Sequence, residues 1–190
     1  FVYRDGIYHD VAGKNFRDFM AGKLEGFEGE LPHMGDWADH MTTNFPEVRL
    51  KKYIEMRGTD GGPWKNLCAL PAFWVGLLYD TDAQQAAWDF VKDWTDVERE
   101  DMRRRVPVEG LSTKFRNTTL QQLAKQVLLI SSRGLKNRGN LDAAGNDESG
   151  FLDTLRDIAD RGKTPAEDLV EAFKTRWSGS VDPVYSELRY

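Results

Sequence analysis

Cysteine is nearly absent from this 190-residue chain: Cys68 stands alone. A single thiol excludes an intrachain disulfide, and a reducing, cytoplasmic setting is the expectation. Leu67 and Ala69 to Phe73 surround it, which predicts a buried, inert side chain. Histidine is scarce too, and His9, His33 and His40 lie apart with no metal-ligand spacing. Long hydrophobic runs are missing. The longest, Leu67 to Tyr79, contains Pro71 and falls short of the ~20 residues a spanning helix needs. It reads as a buried helix, with no membrane partner. The opening residues carry no signal or transit pattern. Positive charge is not in excess: 26 Lys and Arg face 31 Asp and Glu. That balance argues against a nucleic-acid partner, which calls for a basic surface. G-x-S-x-G, C-x-x-C, G-x-G-x-x-G and the lysine-bearing phosphate loop are all missing.

What is present suits one soluble domain with a proper core: 40% hydrophobic and 30% charged residues. The chain starts at Phe1 in mid-pattern and reads as a piece of something longer. Asp5-Gly6 between β-formers predicts a type I′ hairpin at the start. Short helices are expected from Asn15 to Lys23 and from Asp36 to Thr43, and a strand from Val48 to Arg57. A glycine-rich connection, Gly58 to Pro63, leads to an apolar helix from Trp64 to Tyr79, bent near Pro71. Three capping boxes follow: Thr81 with Gln84, Thr95 with Glu98, and Thr164 with Glu167. Leu120 to Leu135, Leu152 to Ile158 and Leu169 to Trp177 keep helical spacing. Gly139 and Gly162 stand where helices stop, and Lys136 to Gly150 reads as a mobile loop. The expected class is α+β and mostly helical, with an N-terminal hairpin and one further strand. Residues 1–63 carry the strands and 64–190 the helices.

The Val48 to Arg57 strand carries the chemistry. With period two, Val48, Leu50, Ile54 and Met56 share an oily face, with Lys52 the only exception, and Arg49, Lys51, Tyr53, Glu55 and Arg57 share a charged one. Glu55 and Arg57 would emerge roughly 6.6–7 Å apart on that face. A carboxylate there can hold a metal while the arginine's planar, always-charged fork touches the same phosphate. Taken alone the pattern is short, and a solvated face with an internal ion pair is its commoner meaning. The connection after it can bring backbone amides, Thr59 among them, close to a ligand. A strand-to-helix turn explains it equally well. Trp64 beyond it lines a pocket or packs in the core. Arg103 to Arg105 is a solvated helix end.

The run Phe45 to Trp64 resembles glutamate–cysteine ligase of the plant and alphaproteobacterial type. So do its continuation Leu67 to Asp80, the segment Phe19 to Leu24 and the tail Ser180 to Tyr185. The resemblance implies a fold related to glutamine synthetase, with the further strand belonging to a curved antiparallel sheet. It implies ATP and Mg²⁺ as cofactors and glutamate and cysteine as substrates, joined through a γ-glutamyl phosphate. Carried onto this chain, it makes Glu55 the Mg²⁺ ligand and Arg57 the contact to phosphate or γ-carboxylate. Arg49 is a second catalytic candidate on the same face, and Thr59 and Trp64 join Arg57 in binding the nucleotide. Only the C-terminal portion of the family is matched. The remainder of the full-length chain is therefore an expected partner, and this chain alone is expected to be inactive. Val11 and Gly26 stand where plant members carry a regulatory disulfide, so redox control by that bridge is not expected. Another carboxylate–amine ligase and a non-catalytic helical interaction module are the alternatives.

Overall fold

A computed structural model describes residues 1–189 as two compact units, residues 1–60 and the residues from 61 onward. The first begins with the expected hairpin: β1 (Val2–Arg4) pairs antiparallel with β2 (Ile7–His9), with Arg4 opposite Ile7. Asp5 and Gly6 both take positive φ, 52° and 83°, which is what a type I′ turn demands. Helix α1 (Phe16–Met20) is capped by Asn15, whose side chain accepts from the Arg17 amide. Helix α2 (Met34–Thr42) starts two residues before its expected beginning. His33 caps it, and Asp36 reaches back to the His33 amide, a reciprocal box that the sequence reading missed. Val2, Phe19 and Leu24 form the apolar centre of this unit.

The Val48 to Arg57 segment is not one strand. It folds back as β3 (Val48–Leu50) and β4 (Ile54–Met56), joined by Lys51, Lys52 and Tyr53. The Lys51 amide donates to the Tyr53 carbonyl at 2.8 Å and closes the turn.

The second unit is helical. It contains α3 (Trp64–Leu78), α4 (Thr81–Val91), α5 (Asp96–Glu109), α6 (Leu120–Arg138), α7 (Asp153–Arg161), α8 (Pro165–Lys174) and α9 (Val184–Glu187). A third hairpin precedes α6: β5 (Lys114–Phe115) pairs with β6 (Thr118–Thr119). The class is thus α+β and mostly helical, as expected, with strands only in two-stranded antiparallel sheets among the described residues. The expected caps hold at Thr95 and Thr164, with Pro165 opening α8. The third does not: Asp80, one residue earlier, accepts from the Ala83 amide, and Thr81 is already helical. A short carboxylate at N-cap reaches the orphan amides at least as well as threonine does. Gly139 and Gly162 end α6 and α7 in the left-handed conformation. The loop expected from Lys136 is shorter: α6 runs on to Arg138, and a bridge between Leu141 and Asp147 leads into a 3₁₀ turn, Glu148–Leu152.

Its core lies where α3 and α6 cross, with Ala72, Leu128, Leu135, Leu152 and Ala159 buried together. The backbones meet there without side chains between them. A Cβ on Gly134 would sit 1.9 Å from the Gly76 carbonyl oxygen, and one on Gly76 would sit 2.3 Å from the Ser131 oxygen. The Ser131 hydroxyl donates to the Phe73 carbonyl at 2.9 Å across the same crossing. Two small residues in register bring helices closer than leucine-lined packing permits. Among the described residues no helix is long and apolar enough to cross a membrane.

Candidate functional site

The β3–β4 hairpin brings three of the expected site residues together. Its register pairs Val48 with Met56, Arg49 with Glu55 and Leu50 with Ile54. Each residue thus meets another of its own parity, so the oily and charged faces survive the fold-back. Val48, Leu50 and Ile54 form the oily face, and all three are exposed. Lys51 and Tyr53 leave the charged face and occupy the turn with Lys52.

Arg49, Glu55 and Arg57 remain on the charged face. Arg49 Nε donates to Glu55 Oε2 at 2.7 Å across the strands. Arg57 Nη1 donates to the same oxygen at 3.2 Å along β4. Glu55 Oε1 receives no hydrogen bond from any described residue. The Arg49 hydrogen bond, with that of Arg57 behind it, holds the Glu55 carboxyl below the usual carboxylate range, against partial burial. Glu55 is therefore ionised at neutral pH. Arg57 engages one of its five N–H donors and keeps the rest for other partners. Lys51 and Lys52 at the turn add two more cations, so a positive finger stands on a chain of net charge −5.

This donor set fits a hard divalent cation in part. A carboxylate oxygen with a free lone pair suits Mg²⁺, which is held through one or two carboxylates plus water and substrate phosphates. Among the described residues no group of three or more His, Cys, Asp or Glu side chains could hold a metal by itself. Glu55 by itself offers one oxygen and no complete metal site.

The other two candidates stand in different surroundings. Thr59 is exposed in the connection after β4. Gly58, Gly61 and Gly62 in that connection do not take positive φ. Backbone conformation therefore does not demand glycine there, which leaves close approach to the bare backbone as a reason for it. Trp64 is not a core residue. It is 77% exposed at the start of α3, on the wall of a groove of about 460 Å³ in the second unit. Lys65, Cys68, Phe151, Thr154 and Asp157 line the same groove. Cys68 is half-buried rather than buried, because its position on α3 faces this groove instead of α6.

A family model described as Glutamate-cysteine ligase family 2 (GCS2) matches residues 2–187. Over all 190 residues the chain is 53% identical to glutamate–cysteine ligase A, chloroplastic, of Oryza sativa subsp. indica, covering 37% of that protein. It is likewise 53% identical to glutamate–cysteine ligase, chloroplastic, of Arabidopsis thaliana, covering 35%. The corresponding protein of Nicotiana tabacum is 50% identical, with 35% covered. The chain thus spans just over a third of the length of the curated relatives it matches. These names overturn the cytoplasmic expectation, since every one of them reads chloroplastic. A lone cysteine reports only that no disulfide is built within this stretch. A stretch covering a third of its relatives says nothing of a leader.

Proposed function

The chain belongs to glutamate–cysteine ligase family 2, and from that premise we propose that it serves a plastid enzyme joining L-glutamate to L-cysteine at the expense of ATP. The observation that carries this reading is the Arg49–Glu55–Arg57 cluster with one carboxylate oxygen open. A carboxylate is a poor electrophile, so the γ-carboxylate oxygen first takes the γ-phosphoryl group, and ADP leaves. The cysteine amine then attacks the acyl carbon, phosphate departs with its bonding electrons, and the amine loses a proton. Both steps bring anions together, and positive charge at fixed positions lowers that barrier. Mg²⁺, when bound, neutralises phosphate charge. Glu55 contributes an oxygen ligand to it. Arg57 turns its unengaged N–H donors to the transferring phosphoryl group or the γ-carboxylate, where its fork pairs bidentately. Arg49 completes the charged face, and the backbone at Thr59 and the Trp64 ring contribute to nucleotide binding.

The rest of the full-length chain supplies the remaining ligands and the amino-acid pockets, so residues 1–190 alone are inactive in this reading. The test is phosphate release from ATP by the full-length protein with glutamate and a panel of amine acceptors. Release that requires both glutamate and cysteine supports the proposal. Release driven by another amine identifies a different ligase, and no release with any acceptor leaves a non-catalytic role.

A further inference from the structure

Helix α3 is apolar on two sides. Lys65 is the one charged residue among its 15. One side meets α6: Ala69, Ala72 and Gly76 are buried there, and Phe73 and Val75 pack against the same core. The opposite side carries Leu67, Pro71, Trp74 and Leu78, which follow one another at alternating steps of four and three residues. That spacing lines up one narrow seam, the pattern with which a helix meets a second helix. The seam is uncovered. Leu67 is 47% and Leu78 39% exposed, Pro71 is exposed, and Trp74 is half-buried. A helix that is apolar all round belongs in an interior. The seam also holds two polar groups without their usual partners. Pro71 has no N–H for the Leu67 carbonyl. The Trp74 indole N–H is buried and meets no acceptor among the described residues, although a buried indole donor usually finds one.

We propose that this seam is the docking face for a helix from the rest of the full-length protein. The chain spans just over a third of the length of its curated relatives, so most of such a polypeptide lies outside it. The area of the seam points the same way. From Leu67 to Leu78 it runs about 16 Å, and a helix is roughly 10–12 Å wide, so contact there covers on the order of 200 Å². Two separate proteins need roughly 800 Å² on each partner for a stable interface. A face this small suits an occupant that is already tethered, because a segment of the same polypeptide is held at high effective concentration. The incoming helix lays its own apolar row on Leu67, Trp74 and Leu78, and brings a donor for the Leu67 carbonyl and an acceptor for the Trp74 indole. Trp64, which precedes Leu67 in the same row, is left to the nucleotide.

The experiment uses the full-length protein carrying Leu67→Cys or Leu78→Cys and measures the rate of maleimide labelling. Fragment mass spectrometry assigns the label, so that Cys68 is read separately. Val108→Cys is the open reference, since Val108 in α5 is 87% exposed. Both seam thiols should react at least about tenfold more slowly than that reference, as expected of a face that is docked and opens rarely. The protection should persist on dilution, because the occupant belongs to the same molecule. Labelling at the reference rate overturns the proposal. Protection that fades on dilution overturns it as well and makes a second copy the occupant. A benzophenone amino acid in place of Leu78 gives a second reading that needs no thiol. A photo-crosslink to a peptide of the same molecule outside residues 1–190 supports the proposal. A crosslink that stays within residues 1–190 or joins two molecules, or none at all, refutes it.

Discussion

Gly134→Ala should destabilise the helical unit far more than one methyl group ordinarily does. Alanine is the better helix former by about 1 kcal/mol, so intrinsic propensity predicts a gain. The crossing predicts the opposite. The new Cβ would lie 1.9 Å from the Gly76 carbonyl oxygen and 2.9 Å from the Ala83 Cβ. Neither obstacle is the free end of a flexible side chain, so relief requires α3 and α6 to move apart by more than an ångström. That motion loosens Ala72, Leu128 and Leu135, all buried at the crossing, and strains the Ser131 to Phe73 hydrogen bond. Overpacking a tight core costs about 1–3 kcal/mol and sometimes more, and a backbone obstacle places this case at the upper end, roughly 3 kcal/mol net of the propensity gain. For a chain of this size that lowers the thermal midpoint by about 6–12 °C. Urea unfolding of the full chain, followed by far-ultraviolet circular dichroism, reads the shift as a lower midpoint at unchanged slope. Gly150→Ala is the control. A Cβ there meets nothing within 4 Å, and the variant should stay within about 0.5 kcal/mol of the parent. If Gly134→Ala tracks that control, the reasoning about the crossing is wrong.

Asp36→Asn should lower stability by on the order of 3 kcal/mol at neutral pH, since it leaves the Arg4 guanidinium without its forked partner in a largely buried setting. Arg4 holds the Asp36 carboxyl below its ordinary range. That contribution is complete above the unfolded aspartate value of about 4 and is lost as pH falls through the lower folded value. The gap between parent and variant should therefore be flat at neutral pH and close below about pH 4; a gap that stays constant into acid would sink this account. Thr164→Ala removes the hydroxyl that accepts from the Glu167 amide at 3.3 Å and should cost about 1 kcal/mol in the same unfolding assay. Glu55→Gln and Arg57→Ala in the full-length protein should each slow phosphate release by about a hundredfold, the usual scale for removing one charge-stabilising group. Wild-type turnover in either variant would remove that residue from the proposed site.

The hairpins show why some elements were legible and others were not. In the first, a two-residue turn places Arg4 opposite Ile7. An even numbered residue faces an odd one, so the alternation skips a beat and Asp5-Gly6 announces the turn. In the second a three-residue turn places Leu50 opposite Ile54, and the alternation passes through with Lys52 alone out of step. Period two then cannot tell a folded hairpin from a single strand, and no glycine marks the turn at Lys51 to Tyr53. The β5–β6 hairpin left even less trace, because two residues per strand establish no period. Arg116, with φ of 49°, makes its turn without a glycine. Capping was legible at Thr95 and Thr164 and hidden at Thr119 and where His33 does the work. The charged face was legible from parity. The uneven use of the two Glu55 oxygens was not, since it depends on the register and the reach of two side chains.

Arg4 gathers the first unit around itself. Its guanidinium donates to Glu30 ahead of α2, to Asp36 within α2 and to the Tyr3 carbonyl, and it lies 5.8 Å from the centre of the Phe19 ring in α1. Four chain segments share one attachment, while only Val2, Phe19 and Leu24 form the buried apolar centre. Segments that share an attachment do not loosen one by one. Hairpin, α1 and the start of α2 therefore constitute a single cooperative element, whose backbone amides open to solvent exchange at one common free energy rather than in a graded series.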